Sequence, residues 1–194
     1  DPRLAVYAQK NGDGDYRGKP SGIADVPSDD YNYDNVSPLG LFYLRPELPG
    51  FFMSYPELKF LMAEAVVKGY ISGTANTYYV DAITASLDYN EVAPADYASF
   101  LTTKVLSSTK ALALQQIGTQ NWVALFSQGI EAWTEWRRTG QPTLSPVVDA
   151  QISVIPKRFY YSTDSQNFNQ TNYQAAVALL DNGDTMLSKV WWMN

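Results

Sequence analysis

Three groups of side chains in this sequence have types and spacings that could do chemistry. Glu131 and Glu135 stand at i and i+4, so a helix would put both carboxylates on one face. Glycoside hydrolysis needs two carboxylates about 5 to 9 Å apart on either side of the sugar. A pair on a single helix rarely straddles a substrate. Arg138 follows Glu135 at i+3, so the expected role is an ion pair, and no catalytic residue is assigned. The second group, Asn11-Gly12-Asp13-Gly14-Asp15, alternates oxygen side chains as a calcium loop does. It departs from the EF-hand, with Tyr16 where glycine is needed and Gly22 where glutamate is needed. A polar turn is the plainer reading, because Asn-Gly and Asp-Gly are turn dipeptides. Asn11, Asp13 and Asp15 stay as weak calcium candidates, and no other cofactor is expected. The third group is Tyr31, Asn32, Tyr33 and Asp34, flanked by Asp29, Asp30 and Asn35 and followed by Phe42 and Tyr43. Rings interleaved with carboxylates and amides suit a neutral polyol, offering stacking faces with hydrogen-bond donors and acceptors. The candidate ligand-binding residues are therefore Tyr31, Asn32, Tyr33, Asp34 and Tyr43. The alternative is a surface turn with its tyrosines tucked underneath.

Composition removes many other chemistries. There is no Cys and no His among the 194 residues. This excludes disulfides, thiolate nucleophiles, Ser-His-Asp triads and zinc sites of the usual kind. A formal charge of -6 argues against nucleic-acid binding, which needs clustered Lys and Arg. The Gly12 to Gly22 stretch lacks phosphate-loop spacing. No apolar run approaches the roughly 20 residues that cross a bilayer. With 14 Tyr, 8 Phe and 5 Trp, the chain carries rings enough for both a core and a sugar-stacking surface.

The elements that must position these groups are mainly helical, with no alternating βα pattern. Residues 1–50 are rich in Gly, Pro, Asp and Asn and read as a long irregular segment, with one short strand at Leu39–Leu44. Residues 54–140 read as the helical core. Ser54-Tyr55-Pro56-Glu57 fits a capping box, Leu58, Leu61, Met62 and Ala65 recur at helical spacing, and Gly69 is a stop. A second helix is expected from about Thr77 to Asn90, with Tyr79, Ala82, Ile83 and Leu87 on one side. Together they predict an αα-hairpin of the tetratricopeptide type. Pro94 opens a third helix reaching about Leu106. Ser107 to Thr109 then caps a long fourth helix ending near Thr139, closed by Arg137, Arg138, Gly140 and Pro142. Trp122, Phe126, Ile130 and Trp133 would form one apolar stripe on it. Residues 141–194 hold loops, a last helix from about Tyr173 to Leu180, and a tail ending in Trp191-Trp192. All five tryptophans, including Trp136, are expected in the core.

At this point the residues resemble a family. Glu131-Ala-Trp-Thr-Glu-Trp-Arg-Arg-Thr-Gly-Gln-Pro142 closely resembles a stretch of the SusD/RagB outer-membrane nutrient-binding lipoproteins. Asp1-Pro2-Arg3-Leu4, Tyr55-Pro-Glu-Leu-Lys-Phe-Leu-Met-Ala-Glu-Ala65, Gln120 to Gly129, Ile155-Pro-Lys-Arg158 with Tyr160, Asn169 with Asn172-Tyr173, and Lys189-Val-Trp-Trp192 fit in the same order. The resemblance covers essentially the whole chain and identifies it as the C-terminal portion of such a protein. It implies a SusD-like α/α architecture with long irregular loops. It also implies non-catalytic binding of oligosaccharide at the cell surface, with a TonB-dependent outer-membrane transporter as partner. Peptide capture, or a docking lid whose ligand contacts lie in the N-terminal half, is the alternative. Membrane association would come only through a lipid anchor upstream of Asp1. Asp184-Thr185-Met186 also resembles the short O-glycosylation acceptor of such bacteria, on the weak evidence of three residues.

Overall fold

The computed structural model describes residues 1–23, 27 and 29–193. The chain is mainly α-helical: among these residues there is no strand, only two isolated β-bridges. Residues 24–26 and 28 of the irregular N-terminal segment, and the last residue of the tail, lie outside the described residues.

Helix α1 spans Leu4–Tyr7, and a 3-10 turn spans Leu41–Leu44 where a strand was expected. Only Leu39 pairs, bridging Ala8. Beyond it the chain turns so that Phe42 can bury its ring edge-on to Tyr43 and Tyr89.

Helix α2 spans Tyr55–Lys68, and its start is the anticipated capping box. The Glu57 amide donates to Ser54 Oγ and the Ser54 amide donates to Glu57 Oε2, both at 3.3 Å. Gly69 closes the helix in the left-handed region at φ 82. Helix α3 spans Ala75–Tyr89 and packs on α2 as an αα-hairpin, and α5, Lys110–Ala124, packs against α2 as a third partner. The core is Phe60 and Ala63 of α2, Tyr79, Ala82, Ile83 and Leu87 of α3, Tyr97 of the next helix, and Ile117 of α5. The buried face of α2 is therefore not the one expected. Leu58 is exposed and Leu61, Met62 and Ala65 are only half-buried. This helix is apolar nearly all round, so periodicity alone could not choose among its faces. The α3 face is the one expected.

Helix α4 spans Pro94–Thr102 and stops short of Leu106. Thr102 and Thr103 turn their hydroxyls back onto the carbonyls of Ser99 and Phe100. The Leu106 amide then leaves the helical ladder to donate to Asn76 Oδ1 at 2.8 Å. The long fourth helix is two: α5, and α6 at Gly129–Thr139. They are separated by Leu125 to Gln128, with Ser127 at φ 71. The last helix is α8 at Gln170–Val177, starting and ending three residues earlier than expected, and a short α7 at Thr163–Phe168, not anticipated, precedes it.

The break dissolves the anticipated tryptophan stripe. Ile130 is 72% exposed, and Trp122, Trp133 and Trp136 are half-buried. Trp191 projects from the surface and Trp192 is half-buried, so no indole belongs to the core. Trp133 and Trp192 instead flank the Arg137 guanidinium, at 3.6 and 4.8 Å from their ring centres.

Candidate functional site

The N-terminal excursion from Gln9 to Pro38 leaves the helical body and returns to it at one point. Its base is the Ala8–Leu39 bridge. The Gln9 amide donates to the Pro38 carbonyl at 2.9 Å, and Gln9 Nε2 donates to the Leu39 carbonyl at 2.8 Å. Several backbone groups inside the excursion find partners within it. Gly12 donates to the Asp34 carbonyl at 2.7 Å, and Ser37 donates to the Arg17 carbonyl at 2.8 Å. Asn32 Oδ1 accepts from the amides of Asp34 and Asn35, both at 3.0 Å, making an Asx turn. Asn35 Nδ2 donates to the Asp29 carbonyl at 2.6 Å.

These bonds display the tyrosines in two ways. Tyr33 stands 87% exposed at the tip. Tyr31 is half-buried, with the Arg17 guanidinium 5.0 Å from its ring centre. Tyr31 forms a wall shared by two clefts. The first, of about 480 Å³, is lined by Tyr31, Asn32 and Tyr33 with Lys19 and an apolar floor from Val36 to Leu39. The second, of about 870 Å³, runs between Pro20, Ile23, Pro27, Asp30 and Tyr31 on one side and the segment Ser145 to Asp149 on the other. Its base is held by the Ile23–Ala150 bridge and by the Gln151 amide donating to the Gly22 carbonyl at 2.8 Å. Asp149 sits on its rim at φ 62, a strained backbone for a residue other than glycine. Both volumes fall within the range of small-ligand sites.

Of the five residues singled out by sequence, the structure brings Tyr31, Asn32 and Tyr33 into one cleft. Asp34 is adjacent, and its backbone is engaged with Gly12 and Asn32. Tyr43 lies elsewhere. Its hydroxyl donates to Asn90 Oδ1 at 2.6 Å, and its ring meets Tyr7 and Phe126 edge-on at 5.8 and 4.9 Å. Burial pushes its phenol well above the usual range. Tyr7 stacks on Phe126 at 4.1 Å and donates to the Val123 carbonyl at 3.0 Å. These three rings form a pillar that seats the base of the excursion on the α5–α6 junction. Arg17, Lys19 and Asp149 carried no signal in sequence, because only the chain's return brings them beside Tyr31.

Asn11 closes a tight turn. Its Oδ1 accepts from the Asp15 amide at 2.8 Å, and its carbonyl accepts from Gly14 at 3.0 Å. Among the described residues no three His, Cys, Asp or Glu side chains are arranged to hold a metal ion.

The Glu131 and Glu135 pair separates. Glu131 is exposed, whereas Glu135 is buried and receives Arg138 at 2.8 and 2.9 Å. Arg138 also makes a two-pronged contact with Glu64 of α2 at 2.6 and 2.5 Å, and Lys68 meets Glu64 at 2.6 Å. This is the ion-pair cluster expected from sequence, enlarged by two residues from another helix. Asp184 holds a second buried pair with Arg158 at 2.6 Å and accepts from the Tyr161 amide and Tyr173 hydroxyl at 3.1 and 3.2 Å. The neighbouring Thr185 hydroxyl donates to the Asn182 carbonyl at 3.1 Å.

Comparison with known proteins bears on this geometry. A SusD-like family model, described as starch-binding and associating with the outer membrane, matches residues 1–162. A solved chitin-binding protein shares 28% identity with a TM-score of 0.82, over 100% of this chain and 47% of that one. A SusD homolog from Bacteroides fragilis shares 27% identity with a TM-score of 0.76, over 99% of this chain and 48% of the other. A SusD-like protein from Bacteroides thetaiotaomicron shares 25% identity with a TM-score of 0.78, over 100% and 47%. The chain thus spans about half the length of the solved relatives it matches. No curated protein sequence matches it.

Proposed function

The chain belongs to the SusD-like family, and from that premise we propose that it forms part of an outer-membrane protein that captures glycan at the bacterial surface without breaking bonds. The observation that carries this reading is Tyr31, a single ring walling two clefts of ligand size, with the exposed Tyr33 ring beside it. A pyranose presents a flat apolar C–H face and a rim of hydroxyls. The tyrosines supply stacking surfaces, and Asn32, Lys19, Asp30 and Asp149 supply rim donors and acceptors. Among the described lining residues none is placed to activate a nucleophile, and Glu135 is held by Arg138, so the arrangement suits reversible binding. The family description supports association with the outer membrane. Handover to a TonB-dependent transporter, and a lipid anchor on the parent protein, complete the proposal on the strength of the family resemblance.

Isothermal titration against starch, chitin and other oligosaccharides tests it. Tyr31→Ala and Tyr33→Ala should each weaken the best ligand by about tenfold or more if these rings are anchors. Unchanged affinity in both variants would remove the site. Binding of peptides with silence across all glycans would move the reading to peptide uptake. A second comparison sets this chain beside one of the relatives' full length. If only the longer chain binds, the contacts lie in the other half and these helices act as a docking lid.

A further inference from the structure

The two clefts that share Tyr31 differ in charge, and the difference predicts which glycans the site accepts. In the larger cleft Asp30 stands on one wall and Asp149 on the other, with no Lys or Arg among its described lining residues. Among the described residues neither carboxylate takes part in an ion pair or a side-chain hydrogen bond, so no described partner compensates either charge at the cleft. The smaller cleft carries Lys19, and Arg17 lies over the Tyr31 ring. The field therefore runs from negative to positive across one aromatic ring, within a molecule of net charge -6.

Resting on the reading of this groove as a glycan site, we propose that it is charge-selective. The larger cleft admits a neutral or amino-bearing sugar unit and rejects one bearing a carboxylate or sulfate, and Asp30 and Asp149 set the preference. An ammonium on the sugar gains attraction from two carboxylates that no described cation of the protein pairs with. A uronate meets the same two charges as repulsion, and Lys19 lies on the far side of Tyr31. Both aspartates are exposed, so each contributes modestly and salt screens them.

Three hexamers with one backbone test this by titration: the N-acetylglucosamine hexamer, its deacetylated form at a pH where the amine is protonated, and the same hexamer oxidised to carboxylates at C6. At low salt the deacetylated hexamer should bind about three- to tenfold tighter than the oxidised one, the gap closing toward 1 M salt. An Asp30→Asn/Asp149→Asn variant, which keeps a hydrogen-bonding side chain at both rim positions and removes only the charge, should erase the gap between the deacetylated and oxidised hexamers. Equal binding of all three hexamers, or a gap that survives in the double variant, overturns the charge selectivity alone. Binding that is indifferent to Tyr31→Ala overturns the underlying site as well, and so does failure of all three hexamers to bind.

Discussion

Arg138 shows what a single side chain holds together here. It binds the buried carboxylates of Glu64 and Glu135 on two different helices. Removing it leaves two acids in a poorly solvated place with only Lys68 to help one of them. Arg138→Ala should therefore lower unfolding free energy by about 3–5 kcal/mol, read from urea midpoints. The acid limb of stability follows from Glu64. Burial alone would raise its pKa, but the hydrogen bonds from Arg138 and Lys68 outweigh this and hold it below its ordinary 4.5. A carboxyl with a lowered folded pKa adds stability that is present above 4.5 and drains away as pH falls through its folded value. The urea midpoint should drop on acidification below that point. Glu64→Gln should start lower at neutral pH and lose less on acidification; an equal acid slope in both proteins would refute the assignment. The Glu135–Arg138 half of this cluster was legible from its i, i+3 spacing. Glu64 was not, because its partner is 74 residues away and no local pattern announces it.

At the scale of elements, the readable features were those whose cause is local. The α2 capping box is a four-residue event, and Ser54→Ala should cost about 1 kcal/mol. The division between α5 and α6 was not readable. Gly118 and Gly129 both interrupt the helical pattern, yet the helix runs through Gly118 and breaks before Gly129. What decides is tertiary: Phe126 leaves the helix to stack on Tyr7 and meet Tyr43. Ser127 then has to adopt φ 71, a conformation costing an L-residue about 1–2 kcal/mol. Ser127→Gly should relieve that strain, net of greater unfolded-state entropy, and raise stability by about 0.5 kcal/mol, whereas Ser127→Ala should not. Gly40 is a different case, since its φ is ordinary. A Cβ there would fall 1.7 Å from the Val6 carbonyl oxygen, at the seam between α1 and the 3-10 turn. Gly40→Ala should cost about 3 kcal/mol by forcing that seam apart. A near-neutral Gly40→Ala in denaturant titration would mean the seam is loose.

For the whole molecule, the question is how a rigid helical body holds a binding loop that has little core of its own. Arg3 is the answer the structure offers. Its side chain is fully buried, donating to Asp1 at 2.7 Å, to Gln120 of α5 at 2.6 Å and to Ser86 of α3 at 3.0 Å. The Asp1-Pro2-Arg3-Leu4 stretch stood out in sequence only as a resemblance. Its physical task became visible once α3 and α5 were seen on either side of it. From Arg3 the constraint passes through α1 to the Ala8–Leu39 bridge and so to the neck of the Gln9 to Pro38 excursion. Arg3→Met keeps the apolar stem and removes the donors, leaving Ser86 and Gln120 without their partner. Stability should fall by about 3 kcal/mol. Hydrogen exchange separates this from general loosening. The amides of Gly12, Asn35 and Ser37 should exchange faster by more than the global loss explains, while those of Ala82 and Ile83 follow the global value. Glycan affinity should weaken too, although Arg3 lines neither cleft, because a looser neck must be ordered again on binding. If the excursion amides moved only in step with the core, the loop would be holding its own shape, and Arg3 would stabilise the helices without positioning the site.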